Sequence, residues 1–137
     1  MCEAHLFSPL ALRGVTTRNR AWISPMVQGA ATGEDGVATP WHLVHLGSRA
    51  VGGAGLIVVE ATAVEARGRI GPRDLGLWND AQTEAMQPIT RFLSENGSIP
   101  AVQLAHAGRK AGVPGAVAPS ALAWSSASTA PAEATPD

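Results

Sequence analysis

Leu56-Ile57-Val58-Val59 is an unbroken apolar run, rich in β-branched residues, with Gly52-Gly53 ahead of it and Glu60-Ala61-Thr62 behind. A strand covered on both faces reads this way, and such strands belong to parallel sheets wrapped by helices. The run therefore demands helices around it, and two are legible. Thr39-Pro40 opens the first, with threonine as N-cap and proline at the first helical position. Leu43, Leu46, Ala50 and Val51 share one of its faces, and Gly52-Gly53 offers the left-handed conformation that ends it. The second begins with Asp80 as its cap, carries Ala85, Ile89, Phe92 and Leu93 on one face, and closes at Asn96-Gly97. Pro88 falls inside it, where a proline costs about 3 kcal/mol. Either the helix kinks there, or it starts at Pro88 after a separate first turn.

Two further strands flank the central run. One spans about Ala21 to Met26 and stops at Pro25, which lacks a backbone donor. The other runs from Ser98 to His106, with Pro100 tolerated at its start. In it Ala101, Gln103 and Ala105 alternate with Val102, Leu104 and His106, giving a small-residue face with one amide and an aliphatic face to pack on helices. Gln103 needs a partner if buried, either neighbouring backbone or a polar ligand. Residues 6–20 read as a β-hairpin with Gly14 in its turn, suited to plugging the amino-terminal end of a barrel. Long loops follow the strands, at 28–38 with Asp35-Gly36 as a turn and at 63–78.

The order is hairpin, β-loop-α, β-loop-α, β-loop, which implies a parallel sheet with right-handed crossovers. The fold class is α/β, a partial (β/α)8 TIM barrel. A full barrel takes about 250 residues, so 137 residues hold the hairpin and about three βα units. The chain divides into hairpin (6–20), βα units (21–110) and a segment 111–137 of mostly Ala, Pro, Ser, Gly and Thr with Trp124 as its large anchor. That last segment is a long ordered loop or a disordered tail.

Composition excludes other classes. The net charge is −1, and no basic stretch interleaves with aromatics, against a nucleic-acid partner. No apolar run reaches membrane-spanning length. A lone Cys2 forms no internal disulfide and fits a cytoplasmic protein; its place in the terminus favours an unremarkable role over a reactive thiol. No Gly-x-Gly-x-x-Gly opens a helix after the first strand, which disfavours a dinucleotide-binding Rossmann unit. His42 and His45 have metal-ligand spacing but no third ligand, so structural roles are expected and no metal. His106, Arg109 and Lys110 either bind an anion or tie the third strand to its loop, the second being favoured. Arg67, Arg69 and Arg73 either steer cofactor phosphates or form a solvated loop, again with the second favoured. Glu60 resembles a base by type, and a pairing with Arg49 or Arg109 is expected for it.

Four blocks carry a resemblance. They are Thr16 to Met26 (Thr-Thr-Arg-Asn-Arg-Ala-Trp-Ile-Ser-Pro-Met), Trp41 to Ala63, Gly68 to Trp78, and Gln103 to Lys110 (Gln-Leu-Ala-His-Ala-Gly-Arg-Lys), with a weaker echo at Ala118-Pro119-Ser120-Ala121. In this order and spacing the chain resembles the amino-terminal part of the Old Yellow Enzyme family of FMN-dependent ene-reductases, specifically its YqjM-like branch. The resemblance implies a flavin oxidoreductase with FMN as cofactor and NAD(P)H as hydride donor, reducing the activated C=C bond of an enone-type substrate. It implies that Ser24, Pro25, Met26 and Val27 lie beneath the flavin, that Ala61 packs near it, and that Gln103 bonds its pyrimidine side. It also implies a homo-oligomer in full-length form.

Three departures from the family pattern follow. Val27 stands where relatives of this branch carry a flavin-tuning cysteine. Gly29 stands where they place a substrate-contacting tyrosine. The paired substrate histidines, the proton-donating tyrosine and the flavin-phosphate residues correspond to positions beyond residue 137, and the chain has no tyrosine at all. No catalytic residue is therefore expected here, and the chain alone is expected to be inactive. The alternative is a non-catalytic half-barrel that self-associates or pairs with a complementary chain. Dienoyl-CoA reductases and amine dehydrogenases share the same start, so the resemblance leaves the reaction open between them.

Overall fold

The computed structural model describes residues 5–135; Cys2 lies outside them. After a single 3-10 turn at His5–Phe7, β1 (Leu10–Leu12) and β2 (Val15–Thr17) form the expected antiparallel hairpin, with Leu12 opposite Val15. The left-handed residue of its turn is Arg13, at φ 52°, rather than Gly14. The hairpin leads into a tie to the first helix: Arg18 Nη2 donates to the carbonyls of Ala50 and Ala54 at 3.0 and 3.1 Å.

A parallel sheet forms the centre. β4 (Leu56–Ala63) carries β3 (Trp22–Ile23) on one edge and β6 (Ile99–Ala105) along the other. β3 is shorter than the 21–26 expected. Pro25 has no N–H to continue the ladder, and the edge of β4 beyond is taken by β5 (Leu75–Gly76), paired through Thr62 and Leu75. β5 lies inside the segment read as a loop, because two residues are too few to show an alternation.

α1 (Pro40–Val51) and α2 (Asp80–Glu95) cover one face of this sheet. Leu46 and Ala50 of α1, Ile57 and Val59 of β4, and Ile89 and Leu93 of α2 make the core, with Leu75 and Ala31 completing it. The buried face of α1 differs from the expected one. Leu43 and Val51 are exposed, and His42 and His45 are buried in their place. The His42 Nδ1 accepts the Thr39 N–H at 2.9 Å, and the His45 ring stacks on Trp41, so the inward stripe is not purely aliphatic.

α2 is capped by Asn79, not Asp80. The Asn79 carboxamide accepts the Gln82 N–H at 3.1 Å, and Asp80 is the first helical residue. The helix runs through Pro88 without interruption. The proline faces solvent, and Ile89 and Leu93 behind it supply packing that offsets its missing hydrogen bond. Gly97 closes α2 at φ 74°.

The aliphatic face of β6 is not covered as expected: Val102 and Leu104 are 41% and 60% exposed. Among the described residues no α-helix follows that strand, only the 3-10 turn Gly108–Lys110. The described part of the last segment, 111–135, is a loop with two short strands. It pairs β7 (Val117–Ala118) with β8 (Ala132–Glu133) in parallel, and Lys110 Nζ sits 3.7 Å from the Trp124 ring centroid. Among the described residues no helix is long and apolar enough to cross a membrane.

Candidate functional site

The carboxyl end of a parallel sheet is where strands hand over to loops and where ligands of such folds sit. Here that end is built from three pieces: the irregular segment after β3, the end of β4, and the end of β6.

The register between β4 and β6 decides which side chains share a face. Val58 pairs with Ala101 and Val59 with Val102, then the register slips by one, and Ala61 pairs with Gln103 and Ala63 with Ala105. The extra residue is Glu60, a β-bulge. Residues opposite one another in a parallel pair point the same way, so Val58, Ala61, Ala101, Gln103 and Ala105 line one face. It is the face turned away from the helical core, since Ile57 and Val59 belong to that core. The small-residue face expected for the third strand is present, with Ala61 added to it by the bulge. Gln103 is exposed, and no hydrogen bond engages its amide among the described residues.

Beside this face runs Ser24-Pro25-Met26-Val27-Gln28-Gly29. Ser24, Met26 and Val27 are exposed. Gly29 adopts φ 59°, and a side chain there would meet nothing within 4 Å. The segment is not a strand, so its shape depends on side-chain anchors. Gln28 Nε2 donates to the Met26 carbonyl at 3.0 Å. The Gln28 N–H donates to Glu60 Oε2 at 2.8 Å.

Glu60 is only 4% exposed. Its partners are the Gln28 N–H and His42, whose Nε2 stands 3.4 Å from Oε1. The arginine expected for it is elsewhere. Arg49 lies two turns along α1, donating to the His45 carbonyl and Ser48 Oγ at 2.6 and 2.9 Å. Arg109 donates to Ser120 Oγ at 3.4 Å. The bulge explains the difference, because it turns Glu60 toward the start of α1 rather than along the sheet. A carboxylate interrupting an apolar strand was itself a signal that a buried partner had to exist; the bulge that chose the partner has no sequence signature here.

His42 and His45 lie one turn apart, both buried. Burial pushes the His45 pKa below its ordinary value, the Arg49 guanidinium and His42 lower it further, and Glu60 opposes them. Among the described residues no three His, Cys, Asp or Glu side chains gather as a metal site would require.

The remaining polar candidates are joined to one another. His106 Nε2 lies 2.8 Å from Glu65 Oε1, and its Nδ1 accepts the Gly108 N–H at 3.1 Å. Glu65 also accepts from Arg67 Nε at 2.9 Å. The hydrogen bonds from His106 and Arg67 hold the Glu65 carboxyl below its ordinary pKa. Arg69 spans two loops, donating to the carbonyls of Glu34 and Pro72 at 2.7 and 2.6 Å, and stacks over Trp78. A separate hollow of about 630 Å³ opens between Arg109–Ala116 and Trp124–Ala132. Its walls are largely small residues, and its two cations are engaged by Ser120 and Trp124.

Comparison with known proteins places this arrangement. The model of the NADH:flavin oxidoreductase / NADH oxidase family matches residues 5–134. An NADPH dehydrogenase of Geobacillus sp. is 47% identical over 134 residues, which is 97% of this chain and 39% of that protein. The solved structure of the old yellow enzyme homologue from Zymomonas mobilis is 34% identical at a TM-score of 0.78, over 96% of this chain and 39% of that one. Morphinone reductase in complex with tetrahydroNAD is 27% identical at a TM-score of 0.85, over 97% and 41% respectively. The chain thus spans about two-fifths of the length of the curated relatives it matches.

Proposed function

The chain belongs to the NADH:flavin oxidoreductase / NADH oxidase family, and from that premise we propose that it forms one side of an FMN site in an oxidoreductase of the Old Yellow Enzyme type. The family's cofactor is FMN and its hydride donor a nicotinamide nucleotide. The observation that carries the reading is Gln103. A glutamine amide stands exposed among Ala61, Ala101 and Ala105, register-paired with Ala61. A flat ring with donors and acceptors along one edge fits such a face; an aliphatic ligand would leave the amide unpartnered.

In this reading Gln103 bonds the pyrimidine edge of the flavin, while Ala61, Ala101 and Ala105 leave room for the ring. The backbone of Ser24-Pro25-Met26-Val27 lies against it. Gly29 leaves open space on the substrate side. Val27 offers no S–H donor, so a flavin here is tuned without one. FMN, when bound, supplies transfer of hydride from the nicotinamide nucleotide to an activated C=C bond of an enone. The chain's own part is to bind and orient the ring. The proton donor and the carbonyl-binding histidines are not among its residues, and the barrel is partial, with the hairpin and three parallel βα strands.

Two measurements test this. Titration of FMN into the 137-residue chain, followed by flavin fluorescence, is expected to show binding that Gln103→Leu weakens about tenfold. Equal binding by both would remove Gln103 from the site. Reconstitution with FMN and NADPH is expected to give no substantial reduction of cyclohexenone, and robust turnover would overturn the assignment of the acid–base chemistry to residues outside this chain.

One observation favours a second reading. β6 pairs with β4 on one edge alone and exposes Val102 and Leu104, as a half-barrel that self-associates or meets a complementary chain would. Sedimentation at several concentrations decides it; a monomer throughout would count against it. A homo-oligomeric full-length protein belongs to the same set of proposals.

A further inference from the structure

Glu60 departs from the alternation of its strand. β4 matches β6 residue for residue to Val59, gains Glu60 as an unmatched residue, and resumes at Ala61. A bulge re-aims a side chain at the cost of local pairing. Here the re-aimed group is a carboxyl that the fold buries, and a buried carboxyl needs donors.

Two groups face it. The Gln28 N–H donates to Oε2 at 2.8 Å. From the opposite side His42 Nε2 stands 3.4 Å from Oε1. The ring's tautomer follows from its other nitrogen: Nδ1 accepts the Thr39 N–H at 2.9 Å, and two donors cannot face each other. In the neutral ring the proton is therefore on Nε2, toward Glu60. That nitrogen is buried and makes no hydrogen bond; Glu60 Oε1 at 3.4 Å is close but not aligned for one. The gap around it is bounded by Ser24 and Met26 from the loop, His42 and His45 from α1, and Val58 and Glu60 from β4, and it has no room for a water molecule. Glu60 Oε1 is thus the polar atom set beside that proton, in contact with it though not hydrogen-bonded.

We propose that Glu60, backed by His42, is a positioning residue for the segment Ser24 to Gly29, coupling the first turn of α1 to the backbone that presents Met26 and Val27. The identity of the ligand rests on the flavin reading; the coupling rests on the contacts above. Gln28 follows Val27 directly and its side chain holds the Met26 carbonyl, so anchoring the Gln28 N–H fixes the whole exposed corner. Glu60 moves no proton in this role.

Amide hydrogen exchange on the full 137-residue chain tests the coupling. Glu60→Ala is expected to speed exchange at Gln28 about tenfold to a hundredfold, the range set by a hydrogen bond to a charged group, with Ile57 and Val59 unchanged. Glu60→Gln keeps an acceptor for Gln28 and restores most of that protection. It also sets an amide donor against the His42 Nε2 proton that the Thr39 N–H requires, so the clash is expected to loosen the first turn of α1 and speed exchange at Thr39. A Glu60 not coupled to α1 would leave Thr39 exchange unchanged. Unchanged exchange at Gln28 in Glu60→Ala overturns the proposal, as does unchanged exchange at Thr39 in Glu60→Gln; the second variant decides if the first fails to fold. FMN titration of the same samples separates the two readings. Glu60-dependent exchange without FMN binding to the unsubstituted chain supports the coupling and removes the flavin. FMN binding with Glu60-independent exchange does the reverse.

Discussion

The two helices begin alike and end their first turns differently. Each has a cap residue followed three positions later by a side chain that reaches back, His42 in α1 and Gln82 in α2, and each of these is only 1% exposed. Gln82 is satisfied at both ends of its amide. Its Oε1 accepts the N–H groups of Trp78 and Asn79 at 2.7 and 3.2 Å, and its Nε2 donates to the Asp35 carbonyl at 2.7 Å. His42 is satisfied at one end only, through the Thr39 N–H, and its Nε2 is left toward Glu60. A closed cap locks one loop to another and has nothing further to offer. A cap with one group in reserve connects the helix to what lies beyond it, here the carboxyl that holds the segment beside the candidate site.

The largest effect is expected from breaking the closed cap. Gln82→Ala strands two N–H groups and a carbonyl and should cost about 3 kcal/mol, read as a lower urea midpoint at unchanged slope. A loss below that of His42→Ala would show that α2 is not the tighter cap. His42→Ala comes next, at about 2 kcal/mol, because it removes the acceptor for Thr39 and leaves a cavity beside Glu60. His42→Gln sharpens the comparison, since glutamine is the residue α2 uses at this position and a regular partner in a capping box. It should recover most of the stability, and failure to do so would show that the imidazole itself is required.

The smallest effect concerns His45. Its pKa in the fold is lowered, by burial first and by Arg49 next. Below the unfolded value of 6.5 the unfolded chain therefore binds more protons than the folded one. Stability from this group is complete above that pH and is lost as the pH falls through the window down to the folded value. Thermal melts across that window should slope accordingly, and His45→Gln should flatten the slope. An unaltered slope would assign the acid sensitivity to other groups, among them Glu65, whose lowered pKa acts with the same sign at lower pH.

The elements that were legible share one property: their signals are local. Thr39-Pro40 and Gly52-Gly53 bound α1, Asn96-Gly97 closes α2, and Leu56 to Val59 declares a strand of a helix-covered parallel sheet, although its second face is open, all through backbone chemistry within a few residues. The same holds for the alternation that set Gln103 on a face with Ala101 and Ala105. What stayed hidden has its cause elsewhere in the chain. β5 exists because β3 gives up the edge of β4 after Ile23. Asn79 rather than Asp80 caps α2, in a junction where Gln82 finds Asp35, 47 residues away in sequence.

The sequence by itself determined a parallel α/β sheet, its hairpin, both ends of α1, the carboxyl end of α2 and the family, because periodicity, capping residues and motif order are written residue by residue. Only the tertiary structure decided where Glu60 points. A bulge arises from the mismatch of two strands paired 43 residues apart at Val59 and Val102, and a buried carboxyl takes whichever donors that mismatch brings within reach.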